Sequence, residues 1–247
     1  MKRPIAVLVL AGLVYVVGRG PTPASWASDS GAGVLSVLLA VLGAGALVFS
    51  KPWYVLRYVC TLAHEMAHTC TAALLGASVR HTKIKLDSSG LATYAVDESF
   101  GRGRLILVTL AGYAGPGVVG FSAVWSVKNG LATAWIVWAC VASLSSAVVF
   151  MRNLWGFFST LAVSFACWGL FEYASGTYLS LVVLVIGYVL LFGGVIAARE
   201  QLRAPDDAET DAKQVATIIH VTTRGVANAQ LLVAVMLIVG AVSVLVL

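Results

Sequence analysis

Apolar residues in this chain come in long runs rather than at the spacing of a surface helix or a half-buried strand. The runs cover 4–18, 32–50, 53–76, 104–126, 131–151, 154–174, 177–198 and 229–247. Most reach the roughly 20 residues that a helix rising about 1.5 Å per residue needs to cross a hydrocarbon core of about 30 Å. The pattern predicts an all-α polytopic membrane protein with about seven to eight transmembrane helices. The first run is short. With Lys2 and Arg3 ahead of it and Ala24-Ser25-Trp26-Ala27-Ser28 behind, residues 1–28 also have the layout of a signal peptide, although we read the run as a retained span.

One stretch between the runs has a different period. From Val79 to Leu86, Arg80, Thr82, Lys83 and Lys85 interleave with Val79, Ile84 and Leu86. Asp87-Ser88-Ser89-Gly90 then signals a turn, and Leu91 to Val96 reads as a second strand. This predicts a small β-hairpin. Such a ribbon is either a solvated surface element or an edge strand able to pair with an extended peptide.

Composition agrees with the pattern. Of 247 residues, 60% are hydrophobic and 11% charged, and the mean hydropathy is +0.92. A soluble domain carries about 25% charged residues. The net charge of +5 does not imply nucleic acid, because the basic residues cluster in short loops, as orientation signals do. Arg80, Lys83, Lys85, Arg102 and Arg104 put loop 77–103 on the cytoplasmic side; Arg152, Arg199, Arg203, Lys213 and Arg224 follow if the spans alternate. Lys51 and Met1 then fall on the opposite side, against the rule. The polar stretch 199–214 opens a cytoplasmic connector over 199–228. We read 1–247 as one integral membrane domain whose core is 53–126. Cys60, Cys70, Cys140 and Cys167 all lie in apolar segments without CxxC spacing and read as small apolar fillers.

The chemistry concentrates in His64-Glu65-Met66-Ala67-His68, inside the run from Trp53 to Ala77. Each ionisable group within a bilayer costs roughly 2.5–3.5 kcal/mol on insertion scales, so three together mark a functional site. On a helix His64 and His68 stand one turn apart on one face. Two imidazoles so placed can share Zn²⁺, and Glu65 is placed to act as general base on the water the metal activates.

The segment Leu62 to His68, with Ala73-Leu74-Leu75-Gly76-Ala77-Ser78-Val79 after it, resembles the site-two protease family of intramembrane zinc metalloproteases. Leu107 to Pro116 is similar to that family's Ala-Gly-Pro helix, and Thr210 to Ala216 also has a counterpart in its compact bacterial branch, often called peptidase M-fifty-B-like. The resemblance is strongest over 53–126. It implies a zinc endopeptidase of a bacterial cell membrane that cuts membrane-spanning or membrane-apposed proteins or peptides, with no nucleic-acid partner. Better-known members carry an Asn-Pro-Asp-Gly or Leu-Asp-Gly element whose Asp is the third zinc ligand. This chain has neither.

Catalytic zinc usually takes three protein ligands. Asp211, in the polar lead-in to an apolar segment, is the first choice; Glu172 and His220 are alternatives. Asn153 occupies a position like that of the missing element. An amide is a poor zinc ligand, so its role would be to bond substrate backbone or a metal-binding histidine. Gly112, Gly115, Gly117 and Gly120, with Pro116 among them, read as a close helix-packing stripe or as a kink toward the metal. A competing reading of the His-Glu-His cluster is a proton or metal relay in a transporter or channel.

Overall fold

The computed structural model describes residues 34–174, 176–205 and 208–246. The candidate span at 4–18 lies outside the described residues. Within them the order is α1 (Val34–Val48), α2 (Trp53–Leu74), β1 (Ser78–Ile84), β2 (Gly90–Ala95), a 3₁₀ turn (Glu98–Phe100), α3 (Arg102–Lys128), α4 (Ala132–Val149), α5 (Leu154–Tyr173), α6 (Gly176–Arg203), α7 (Asp211–Ile219) and α8 (Thr223–Val246). The helical membrane fold with a small hairpin is therefore as the hydropathy pattern predicts. Five helices, α3, α4, α5, α6 and α8, are long and apolar enough to cross a bilayer. The α1–α2 pair meets that test only jointly, and it is bent by 103° at its break. Pro52 stands at the break, where its fixed φ suits a helix start and its missing N–H costs nothing.

The core is organised around α6. Leu179, Val183, Leu184, Tyr188, Leu190 and Leu191 are all buried there. A helix apolar on every side must be surrounded, and α1, α2, α3, α4 and α8 pack around it. Two glycines set the closest approach. A Cβ on Gly120 of α3 would lie 2.5 Å from the Gly187 carbonyl oxygen of α6, and one on Gly187 would lie 3.0 Å from that of Gly120. Lipid tails are as apolar as leucine, so helices in a membrane gain from such backbone proximity more than from burial itself.

The hairpin is antiparallel, with Thr82 opposite Ala92 and Ile84 opposite Gly90, and its register shifts at Arg80. Ser88 takes a positive φ of 62° in the turn. Asp87 Oδ1 stabilises that turn by accepting from the Ser89 amide at 2.9 Å and the Ser89 hydroxyl at 2.7 Å. One face of α2 grips the hairpin. The Tyr58 hydroxyl donates to the Leu86 carbonyl, Thr61 Oγ1 donates to that of Ser88 at 2.8 Å, and the Thr69 and Thr82 hydroxyls bond at 3.0 Å.

The outer edge of β1 is closed by the α4–α5 connector. The Thr82 amide donates to the Phe150 carbonyl at 2.9 Å, and the Arg152 amide donates to the Thr82 carbonyl at 3.2 Å. Asn153 extends this pairing with its side chain: Nδ2 donates to the Ile84 carbonyl at 2.6 Å, and Oδ1 accepts from the Ile84 amide at 3.3 Å. The hairpin thus meets the 150–153 connector, and its turn at Ser88–Gly90 shares a cavity with Ala204 and Thr210.

Two glycine substitutions test the packing argument. Gly120→Leu, facing backbone that cannot yield, is expected to lower the melting temperature in detergent, with about 1–3 kcal/mol of overpacking. Gly43→Ala lies in α1 with nothing within 4 Å of its new Cβ. It should be neutral or raise the midpoint by the equivalent of about 0.5–1 kcal/mol. Equal effects from both would contradict the assigned contact.

Candidate metal centre

The site begins with helical spacing. His64 and His68 lie one turn apart on α2, and their rings meet edge to face with centroids 4.7 Å apart. His68 Nδ1 lies 2.7 Å from the Val108 carbonyl oxygen of α3. A carbonyl only accepts, so Nδ1 carries the proton and, in the neutral ring, Nε2 carries a lone pair. His68 Nε2 is 3.1 Å from His64 Nε2 and 3.1 Å from Asp211 Oδ2, and His64 Nε2 is 3.2 Å from the same oxygen. Three donor atoms on two distant segments thus converge on one point.

Asp211 reaches that point because α7 is docked on the bundle. Ala212, Val215 and Ala216 are buried against Ile106 and Leu110 of α3, Leu202 of α6, and Val226 and Ala227 of α8. The opposite face, with Gln214 and Thr217, is exposed. Asp211 is the first residue of α7, where the helix dipole favours an anion.

Space for the imidazoles comes from α3. A Cβ on Gly112 would fall 2.2 Å from His68 Nε2 and 2.9 Å from His64 Cε1. One on Gly115 would fall 2.6 Å from Ala67 Cβ and 2.8 Å from the Ala63 carbonyl oxygen. The glycine stripe is therefore a packing seam, and at Gly112 it also clears the histidines. The helix α3 runs through Pro116 as one element. Proline has no N–H, so the Gly112 carbonyl lacks the donor it would normally meet four residues on. Tyr113, between the glycines, sets its ring edge to face against His64 at 4.8 Å.

Glu65 points to the other side of the histidine pair and is buried. Its carboxyl lies so close to β2 that a Cβ on Gly90 would fall 2.3 Å from Oε1. His64, Glu65, Tyr113 and Pro116 line a cavity of about 340 Å³, together with the hairpin turn at Ser88–Gly90 and the ends of α2 and α6. Arg57 and Glu200 pair across its rim at 2.9 Å.

The structure therefore brings His64, His68 and Asp211 together, with Glu65 beside them. Among the described residues these three form the cluster of His, Cys, Asp and Glu able to share an ion. Asn153 is not in it: both ends of its amide are spent on Ile84. Glu172 is exposed at the end of α5, and His220 is an exposed left-handed cap of α7. Cys60 packs against α6 as an apolar filler, and a Cβ on Gly193 would lie 2.5 Å from its sulfur. Sequence reasoning missed Gly90, Tyr113, the clearance at Gly112 and the Val108 carbonyl. A glycine at a hairpin turn and a tyrosine between two glycines are weak signals; a backbone carbonyl leaves none.

The donor set suits a metal of zinc type: two imidazole nitrogens and one carboxylate oxygen on borderline-soft and hard atoms, with a backbone carbonyl orienting one ring. Comparison with known proteins follows the same line. No curated protein and no solved structure matches significantly. The protein-family description Peptidase M50B-like matches residues 35–247, a span that takes in α2, the hairpin, α3 and α7. With the HEMAH helix inside that match and five apolar helices around it, this chain is an integral membrane protein that belongs to the Peptidase M50B-like family of site-two proteases.

Proposed function

We propose that the protein is an intramembrane zinc endopeptidase in which His64, His68 and Asp211 hold Zn²⁺ and Glu65 is the general base. One observation carries the reading: His68 Nε2, His64 Nε2 and Asp211 Oδ2 converge within 3.1–3.2 Å of one another, with His68 Nε2 left as an acceptor by the Val108 bond at Nδ1. A divalent cation among them would be held by all three at once. Zinc held there would polarise the scissile carbonyl and lower the pKa of water toward about 7.

The remaining steps belong to this chain. Glu65 takes a proton from the attacking water and passes it to the leaving amine. The Val108 carbonyl keeps His68 in the ligating tautomer. The apolar walls of α2 and α3 limit bulk water to the cavity beneath the hairpin, which strengthens each electrostatic contact inside. The substrate is a membrane-spanning or membrane-apposed peptide, since the histidines lie in an apolar helix. It must be extended to be cut, and β1 already has its outer edge filled by 150–153. The other edge is that of β2, where Glu65 bonds the Ala92 backbone, so a substrate strand laid along β2 would run beside the base. We place the protein in the cell membrane of a bacterium, with the hairpin on the cytoplasmic side.

Metal content and cleavage of transmembrane peptides by the detergent-purified chain test this reading. Glu65→Gln is expected to keep zinc and lose about 10²–10⁴-fold in kcat. His68→Ala and Asp211→Ala should lose both metal and cleavage. Full activity in Glu65→Gln, or full zinc in Asp211→Ala, would refute the assignment.

A second prediction concerns the clearance. Gly112→Ala forces its methyl into His68 and should release zinc. Gly117→Ala, five residues on, meets only the flexible tip of Leu237 at 2.6 Å and should retain it. Metal analysis of both variants decides whether Gly112 serves the site or only the seam.

A further inference from the structure

Asp211 is held by a polar strut that no step so far has used. Gln201, in the last turn of α6, is buried within an apolar bundle. Its Oε1 accepts from the Ala212 amide, the residue after Asp211, at 3.0 Å. Its Nε2 donates to Gln230 Oε1 of α8 at 2.7 Å, and Gln230 is buried as well. A backbone N–H can only donate, so the orientation of both amides follows from this one group: Gln201 turns its oxygen to α7 and its nitrogen to α8, and Gln230 answers with oxygen. Gln230 Nε2 is left with no hydrogen-bond partner among the described residues. Thr210 Oγ1 accepts from the next amide of α7, that of Lys213, at 3.2 Å.

Two buried amides, one with an unmet donor, are a costly way to attach a helix that already buries Ala212, Val215 and Ala216. Apolar contacts lack direction, however. They leave a nine-residue helix free to roll or slide by fractions of its 1.5 Å rise per residue, and a metal ligand tolerates only tenths of an ångström. A hydrogen bond to the first turn of α7 removes that freedom at the residue adjoining the carboxylate.

We propose that Gln201 is a positioning residue that fixes Asp211 over the histidine pair through the Ala212 amide, with Gln230 bracing it. This rests on the reading of Asp211 as a metal ligand.

The test uses the full chain in detergent, with zinc affinity measured by chelator competition and the ligand set read from the visible spectrum of the Co²⁺ form. Gln201→Leu should weaken zinc by about 10–100-fold, as loss of an orienting contact does, and should alter the Co²⁺ bands. Gln201→Glu should restore both toward wild type, because a protonated carboxyl accepts from Ala212 and donates to Gln230 in the same pattern. A merely structural role would lower the melting temperature of metal-free Gln201→Leu and leave affinity and spectrum alone; that result overturns the proposal, as would a Gln201→Glu chain as weak as Gln201→Leu. Should Gln201→Leu not fold, Gln230→Leu takes its place: it keeps the acceptor for Ala212 but removes the brace, and unchanged zinc affinity there counts against the strut. Asp211→Ala separates the two layers. If it binds zinc like wild type, the ligand assignment has failed; if it loses zinc while Gln201→Leu does not, only the strut has failed.

Discussion

Two imidazole nitrogens and a carboxylate oxygen meeting inside an apolar bundle are the constraint on which the rest of this structure turns. Each is polar, two lie on a helix that must otherwise satisfy hydrocarbon, and the third arrives from a segment 143 residues further along the chain. Desolvation raises the free energy of every one of them. The arrangement persists because neighbouring groups are matched to it: the Val108 carbonyl orients one ring, the absence of a side chain at Gly112 admits both, and α7 presents its negatively charged N-terminal residue. Remove the convergence and the glycine clearance, the docked short helix and the buried glutamines have no common reason to occur together.

The two faces of α2 divide the labour. Tyr58, Thr61, Glu65 and Thr69 look toward the hairpin; His64 and His68, one position away on the helical wheel, look toward α3 and α7. A 3.6-residue period makes this possible within five residues. Glu65 and His64 can therefore line one cavity while the carboxyl and the imidazoles are separately oriented. The roles proposed for Glu65 and the histidines need that separation, since a base engaged by the ligand set would not be free to act.

The hairpin is braced from both sides. On one side it hangs from α2; on the other β1 is closed by 150–152 and by the side-chain amide of Asn153, which imitates a further strand residue. That pairing accounts for an asparagine at the head of α5 that stands apart from the cluster of His64, His68 and Asp211. It also leaves β2 as the strand nearest Glu65, whose carboxyl bonds the Ala92 backbone.

Much of this was legible in the chain. The boundaries of α3, α4, α5, α6 and α8 followed from the apolar runs, because a bilayer demands internally satisfied helices of a given length, whereas 32–50 and 53–76, each read as a span, meet that test only as one bent pair. The hairpin followed from a local change of period and a turn sequence. His64, Glu65 and His68 followed from helical spacing, which is a local property. Asp211 was only one of several carboxylates and imidazoles in polar connectors, and nothing local separates it from Glu172 or His220; what separates them is the docking of α7 against three helices, a long-range outcome of packing. Asn153 shows the same limit from the other direction: its position in the sequence suggested the site, and its contacts lie with Ile84. Periodicity reports what each segment buries, but which polar atoms end up within 3 Å of each other depends on how helices far apart in sequence approach, and here small residues such as Gly112, Gly120 and Gly187 set that approach by what they lack.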